Sequence, residues 1–271
     1  MPLNKQAHWH ETHSTFADAT LDLSLGLHKR IAAELSVPLR SVYQSTQFLD
    51  AGGVVLPDFA SIHHQNGLTL GLGDLALMGR VRLLRADANL PLRVDLRAGL
   101  TVPTGGIEPN PDELARQGLS HRHVFFGSGT LDPQLGVDGT YDFGAWRLMA
   151  YVFGHASLYT NRYGYKQGAR VSAAVSADFS AGLKEWRFSV GPETYHEEIS
   201  AWGADVAENS GRTDLLATAS ATWFPTPMWF LQVRAKIPLY TWAADPITPP
   251  WFGMFSVGRQ FRLFENAEAS K

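Results

Sequence analysis

Cysteine is absent from the 271 residues, which excludes a disulfide framework and any zinc–thiolate site. Long apolar runs are missing too: no stretch approaches the roughly 20 consecutive apolar residues that a membrane helix needs. If the chain meets a bilayer, it must do so as strands. Charge is scarce, at 18% of residues, where roughly a quarter is usual for a soluble surface. The balance is not basic either: a net charge of −3 and a pI near 6.4 leave no cationic excess to release counterions from phosphates, and so argue against a nucleic-acid partner. The opening "MPLNKQAHWHETHS" has no apolar h-region, so no secretory signal stands in the sequence as written. "VPTGG" is no phosphate loop, because it lacks the lysine and leads into a link instead of a helix.

What is present is glycine, at 25 residues, with 11% aromatics and a persistent period of two. In "LPLRVDLRAGLTVPTGG", residues 90–106, Leu92, Val94, Leu96, Ala98, Leu100 and Val102 share one face of an extended strand, opposite Arg93, Asp95, Arg97, Gly99 and Thr101. The same division recurs in 16–27, with Leu21, Leu23 and Leu25 opposite Asp22 and Ser24, and in 168–180, with Val171, Val175 and Phe179 opposite Arg170 and Asp178. It recurs again in 228–241, with Trp229, Val233 and Ile237 opposite Arg234 and Lys236. A soluble sandwich buries the oily face and wets the charged one; a membrane barrel shows the oily face to lipid and keeps the other in a polar bore.

Strand length and link length favour the barrel. The pattern predicts strands over 16–27, 30–45, 71–85, 90–104, 131–143, 145–159, 168–180, 185–198, 212–224, 228–241 and 251–262. Most exceed the roughly 5–6 residues usual in soluble sheets and match tilted membrane strands. Short turns ("LHKR", "RADANL", "DFGAW", "SAGLKE", "FPTPM") alternate with long links at 46–70, 104–130, 159–168, 198–212 and 241–250. Outer-membrane barrels have this asymmetry, and a sandwich has no reason for it. Trp146, Trp186, Trp223, Trp229 and Trp251 lie near strand ends, as interfacial girdles do, although aromatics capping a soluble core are the competing reading. The expected fold is all-β, an antiparallel up-and-down transmembrane barrel of about 12 strands, since single-chain bacterial barrels use even numbers. The expected organisation is an N-terminal segment at 1–15, a barrel at 16–262 and a polar tail at 263–271. The first predicted strand runs downward, so an upward strand is expected before it, supplied by residues 1–10 or by a segment upstream of Met1 together with the signal.

Four stretches, "GLGDLALMGRVRLL" (71–84), "LRAGLTVPTGG" (96–106), "GSGTLDPQLGVDGTYDFGAW" (127–146) and "YTNRYGYKQG" (159–168), together resemble the outer-membrane family described as the meta-pathway of phenol degradation. Its members are described as transporters of hydrophobic compounds. The resemblance implies a barrel of about twelve strands in the bacterial outer membrane and a transport role, and it carries over no catalytic residue. The missing signal and first strand, and the tail "RLFENAEASK" after Phe261, depart from that pattern.

Three functions follow as expectations. The first is a barrel that sits among outer-membrane lipid and admits small solutes, hydrophobic ones if the resemblance holds. Arg80, Arg82, Arg93, Asp95, Arg97, Asp138, Arg170, Asp178, Glu193, Arg234 and Lys236 would face its bore, tuning passage or pairing across it. The second is metal binding at the mouth. His8, His10, His13, His63, His64, His121 and His123 fall in long links or upper strand ends, and "HWHETH" and "HRH" let neighbouring imidazoles point the same way. Neutral imidazole suits zinc, copper or nickel, with Glu11, Asp58, Glu197 or Glu198 to complete the set. The third is a lipid hydrolase with His155 as base and Ser157 as nucleophile in "GHASLY", for which no orienting carboxylate or amide is identifiable.

Overall fold

A computed structural model describes residues 9–56, 66–87, 89–119, 124–245 and 251–261. The strands are β1 (Trp9–His28), β2 (Ile31–Leu49), β3 (Gly67–Leu72), β4 (Leu75–Leu84), β5 (Leu92–Val102), β6 (Asp132–Phe143), β7 (Trp146–His155) and β8 (Tyr165–Lys166). They continue as β9 (Arg170–Phe179), β10 (Trp186–Glu197), β11 (Ala201–Trp202), β12 (Asp205–Val206), β13 (Arg212–Thr226), β14 (Trp229–Ala243) and β15 (Phe252–Arg259). The one helix among the described residues, α1 (Pro111–Arg116), lies in the link after β5, its first turn capped by the Asn110 side chain.

One antiparallel sheet runs β1-β2-β4-β5-β6-β7-β9-β10-β13-β14-β15, with β3 also pairing β2. Each neighbour along this path is also the next long strand in sequence, which is up-and-down topology. Because β3 and β4 share one place in the wall, the sheet has eleven staves among the described residues, against the twelve expected. Residues 9 and 10 continue β1, opposite Leu49 and Phe48, and so form no separate strand; residues 1–8 lie outside the described residues. The two outer staves, β1 and β15, run in the same direction, so they are not an antiparallel pair. The sheet curls around a bore: a single cavity touches Phe16 and Thr20 of β1, Arg40 of β2, Glu197 of β10 and Arg212 of β13.

The period of two sorts the side chains along most of the staves, and two of its breaks shape the upper bore. Between β3 and β4 the wall kinks at Gly73–Asp74, where the Gly73 amide donates to the Pro38 carbonyl at 2.9 Å and β3 parts from β5. The sequence pattern treats 71–85 as one strand. In β14 a register shift against Leu215/Leu216 turns Thr241 inward, where its hydroxyl donates to Asp214 Oδ1 at 2.7 Å. Short turns join the lower ends of the staves and long links their upper ends.

Candidate functional site

The polarity of the molecule is inverted relative to a soluble domain. Large apolar side chains lie on the surface, among them Leu27 at 63% exposure, Leu70 at 63% and Val233 at 60%, whereas Asp95 is 0% exposed, Asp132 2% and Asp214 3%. A soluble protein buries the first set and wets the second. At the lower rim the outer surface carries a band of touching rings: Trp146 with Phe179 at 4.9 Å, Phe179 with Phe188 at 5.7 Å, and Trp186 with Trp223 at 6.2 Å. Arg259 lies over the Trp229 ring at 5.1 Å. Trp251 stands at the opposite rim, 73% exposed.

Inside, the lower bore carries a chain of ion pairs on β2, β4, β5 and β6. Arg80 meets Glu34 at 3.2 Å, Glu34 meets Arg97 at 3.5 Å, and Arg97 meets Asp138 at 3.0 Å. Asp138 then meets Arg93 at 3.6 Å, Arg93 meets Asp95 at 3.1 Å, and Asp95 meets Arg82 at 2.9 Å. Register explains why it takes this form. Arg80 stands directly opposite Arg97, and Asp95 directly opposite Asp138. Like charges in those positions repel, so each pair is bridged by a counter-charge, Glu34 for the arginines and Arg93 for the carboxylates. Farther round, Lys236 donates to Glu193 at 2.7 Å and Arg147 to Asp142 at 2.6 Å. Such pairs fix side chains in place more than they stabilise the fold.

Among the described residues, two large cavities lie in the bore. The lower one, about 690 Å³, is bounded by Asp138, Tyr151, Asp178, Glu193, Arg234 and Lys236 among others. The upper one, about 610 Å³, is bounded by Arg40, Asp132, His155, Arg170, Glu197 and Trp202 among others. Arg170 meets Glu197 at 3.1 Å, and Glu197 also accepts from the Tyr195 hydroxyl at 2.6 Å. Above the cavity the long links are knitted into a cap. Asp74, at the kink, accepts from the Gly105 amide at 2.9 Å, the Ser128 amide at 2.7 Å and the Ser128 hydroxyl at 2.9 Å. Thr130 donates to Asp132, and Asn161 Nδ2 donates to the Ser128 carbonyl at 2.9 Å. A three-stranded sheet, β12-β11-β8, ties the link after β7 to that after β10. Tyr165 packs on Trp202 at 4.8 Å and Phe125 on Trp202 at 5.8 Å, so three links share one aromatic cluster. Burial there pushes the Tyr165 phenol above its ordinary pKa.

Of the eleven charges named from the sequence, Arg80, Arg82, Arg93, Asp95, Arg97 and Asp138 join one network, Arg170 borders the upper cavity, and Asp178, Glu193, Arg234 and Lys236 border the lower one. Sequence reasoning missed Glu34, Asp74, Asp142, Arg147 and Arg187, although Glu34 and Arg187 share the parity of their strands' other polar residues. Of the histidines proposed for metal, His8, His63, His64, His121 and His123 lie outside the described residues, as does Asp58, and His10 is described only as backbone in β1. His13 is exposed and lies 3.3 Å from Glu11. Among the described residues no three metal-ligating side chains form a group. His155 and Ser157 are not joined by a hydrogen bond; the Ser157 hydroxyl lies 3.2 Å from that of Thr130 and the residue is 5% exposed.

No family model and no curated protein sequence matches the chain, so the resemblance to the phenol meta-pathway family has no support from them. Among solved structures, the chain is similar in fold to the COG4313 outer membrane channel from Pseudomonas putida F1. The TM-score is 0.59 at 14% identity, covering 91% of this chain and 82% of that one.

Proposed function

We propose that the chain forms an outer-membrane β-barrel whose bore passes small solutes and performs no bond chemistry. The carrying observation is the inverted polarity: a continuous oily exterior between aromatic rims, around a bore of ion pairs and two cavities. No described helix is long and apolar enough to cross a membrane, and wall strands of 10–20 residues, apart from the shorter β3 and β15, suit the crossing. Similarity of fold to an outer membrane channel supports the same reading. Its long links would face the cell exterior and its short turns the periplasm. The lining of charges and hydroxyls favours polar solutes over the hydrophobic compounds that the family resemblance implies.

Planar-bilayer recording on the refolded chain tests this. Discrete, steady conductance steps are expected. A chain that stays soluble without detergent, or that inserts and carries no current, overturns the reading.

A further inference from the structure

Cations of the bore are almost all spoken for. Arg40, Arg80, Arg82, Arg93, Arg97, Arg147, Arg170, Arg212 and Lys236 each lie within 4.0 Å of a carboxylate. Among the described residues Arg187 and Arg234 do not, and both border the lower cavity. In the same cavity stands Asp178, 8% exposed, whose buried Oδ1 accepts no hydrogen bond from any described residue. Arg147 is its direct cross-strand partner, but that guanidinium is committed to Asp142 at 2.6 Å. A carboxylate so buried and unpartnered is costly to keep in a fold unless something else donates to it.

Register gives the spacing. Asp178, Ser189, Ser220 and Arg234 are consecutive partners across β9, β10, β13 and β14, forming one row around the wall. Arg187 lies two residues from Ser189 along β10, on the same face. At about 4.8 Å per strand, Asp178 and Arg234 stand roughly 14 Å apart along the row. Laid along the row toward each other, an aspartate and an arginine side chain would leave on the order of 5 Å between their charged ends. The two serines between them have small side chains that leave this gap open and offer hydroxyls along it.

We propose that this row is a binding station for a small zwitterion, with its ammonium at Asp178 and its carboxylate at Arg187 and Arg234. Neither a simple anion nor a simple cation satisfies both ends. A molecule with opposite charges a few bonds apart does, and it brings no net charge into the bore. The inference names a solute class for the channel and rests on the channel reading for its purpose, though not for its detection.

Calorimetric titration of the refolded protein in detergent tests it, with γ-aminobutyrate, butyrate and butylammonium as probes and conductance measured on the same preparation. Saturable binding of γ-aminobutyrate is expected, at least about tenfold tighter than either singly charged analogue, the effect of one charge-assisted hydrogen bond. Asp178→Asn should bring γ-aminobutyrate down to the level of butyrate, and Arg187→Gln with Arg234→Gln down to that of butylammonium. Asp178→Glu keeps the charge and should retain binding, which separates loss of the site from loss of the fold. Butyrate binding as tightly as γ-aminobutyrate, or an Asp178→Asn protein that binds like the native one, overturns the station. A conducting protein that binds no probe also overturns it and leaves the channel standing; binding without conductance supports the station and overturns the channel reading.

Discussion

A single carboxylate at the kink between β3 and β4 holds the longest described link in place. Asp74 takes three donors from Gly105 and Ser128, each a charge-assisted bond worth about 1.5–3 kcal/mol when intact. Asp74→Ala removes all three acceptors while leaving the wall's ladder untouched. We expect amides 104–119 and 124–130 to exchange at least tenfold faster, with the midpoint of barrel unfolding little changed; hydrogen exchange resolved by mass spectrometry measures both. A second carboxylate acts at the lower rim. Asp87 accepts from the Asn89 and Leu90 amides, which hold its carboxyl below the usual range. A depressed carboxylate contributes its stabilisation above the ordinary value and loses it as pH falls through the lowered one. Protection of the Asn89 and Leu90 amides, measured against the intrinsic exchange rate at each pH, should therefore fall on acidification through that window and hold constant between neutral and mildly acid pH. At this scale the sequence shows which charges face inward, because parity decides it. It does not show which charges pair. Arg80 and Arg97 stand opposite one another only because of how β4 and β5 align, and a period-2 pattern carries no alignment between strands.

Among elements, the staves themselves were the most legible feature, since alternation over ten or more residues is a strong signal. The links were least so: α1, β8, β11 and β12 are too short for any period to register. Two departures within staves have local causes. The kink comes where Gly71 and Gly73 admit close neighbours, the Phe126 ring and the Pro38 ring, and the flip in β14 comes where a bulge absorbs one residue. Close approach also makes a testable contrast in one strand pair. A Cβ on Gly99 would overlap the Leu77 carbonyl oxygen and the Met78 backbone, whereas one on Gly79 would meet the Ala98 carbonyl at an ordinary 3.8 Å. Backbone cannot yield as a side-chain tip does, so Gly99→Ala should cost about 3 kcal/mol or more and Gly79→Ala less than about 1 kcal/mol. The fraction of each variant that shows heat-modifiable migration after refolding into detergent measures the difference; equal yields would place β4 and β5 farther apart than described.

For the whole molecule, the deciding quantity is which face of the wall meets which medium, and local pattern alone is silent on it. Alternation in 92–102 reads the same in a sandwich and in a barrel. What separates them is distributed along the chain: the strict exchange of short turns and long links, and the curl that brings β1 and β13 to one cavity. The metal reading is of the opposite kind: of its seven histidines, His8, His63, His64, His121 and His123 lie outside the described residues, and no periodic pattern in the sequence constrains them. The medium can be asked directly by moving one charge from the inner face to the outer. Val137 on β6 is 45% exposed on the oily exterior, and its neighbour Asp138 faces the bore in a pair with Arg97 at 3.0 Å. If the exterior meets hydrocarbon, Val137→Arg should destabilise the folded protein by about 2–4 kcal/mol near the bilayer midplane. Ser176→Arg, which places the same charge in the lower cavity, opposite Met149 and two residues from Asp178 on one face, should cost less than about 1 kcal/mol, because water and the wall's carboxylates solvate it there. Equilibrium urea unfolding in phospholipid vesicles, followed by tryptophan fluorescence, gives both values. A Val137→Arg protein as stable as the native one would mean that this face meets water.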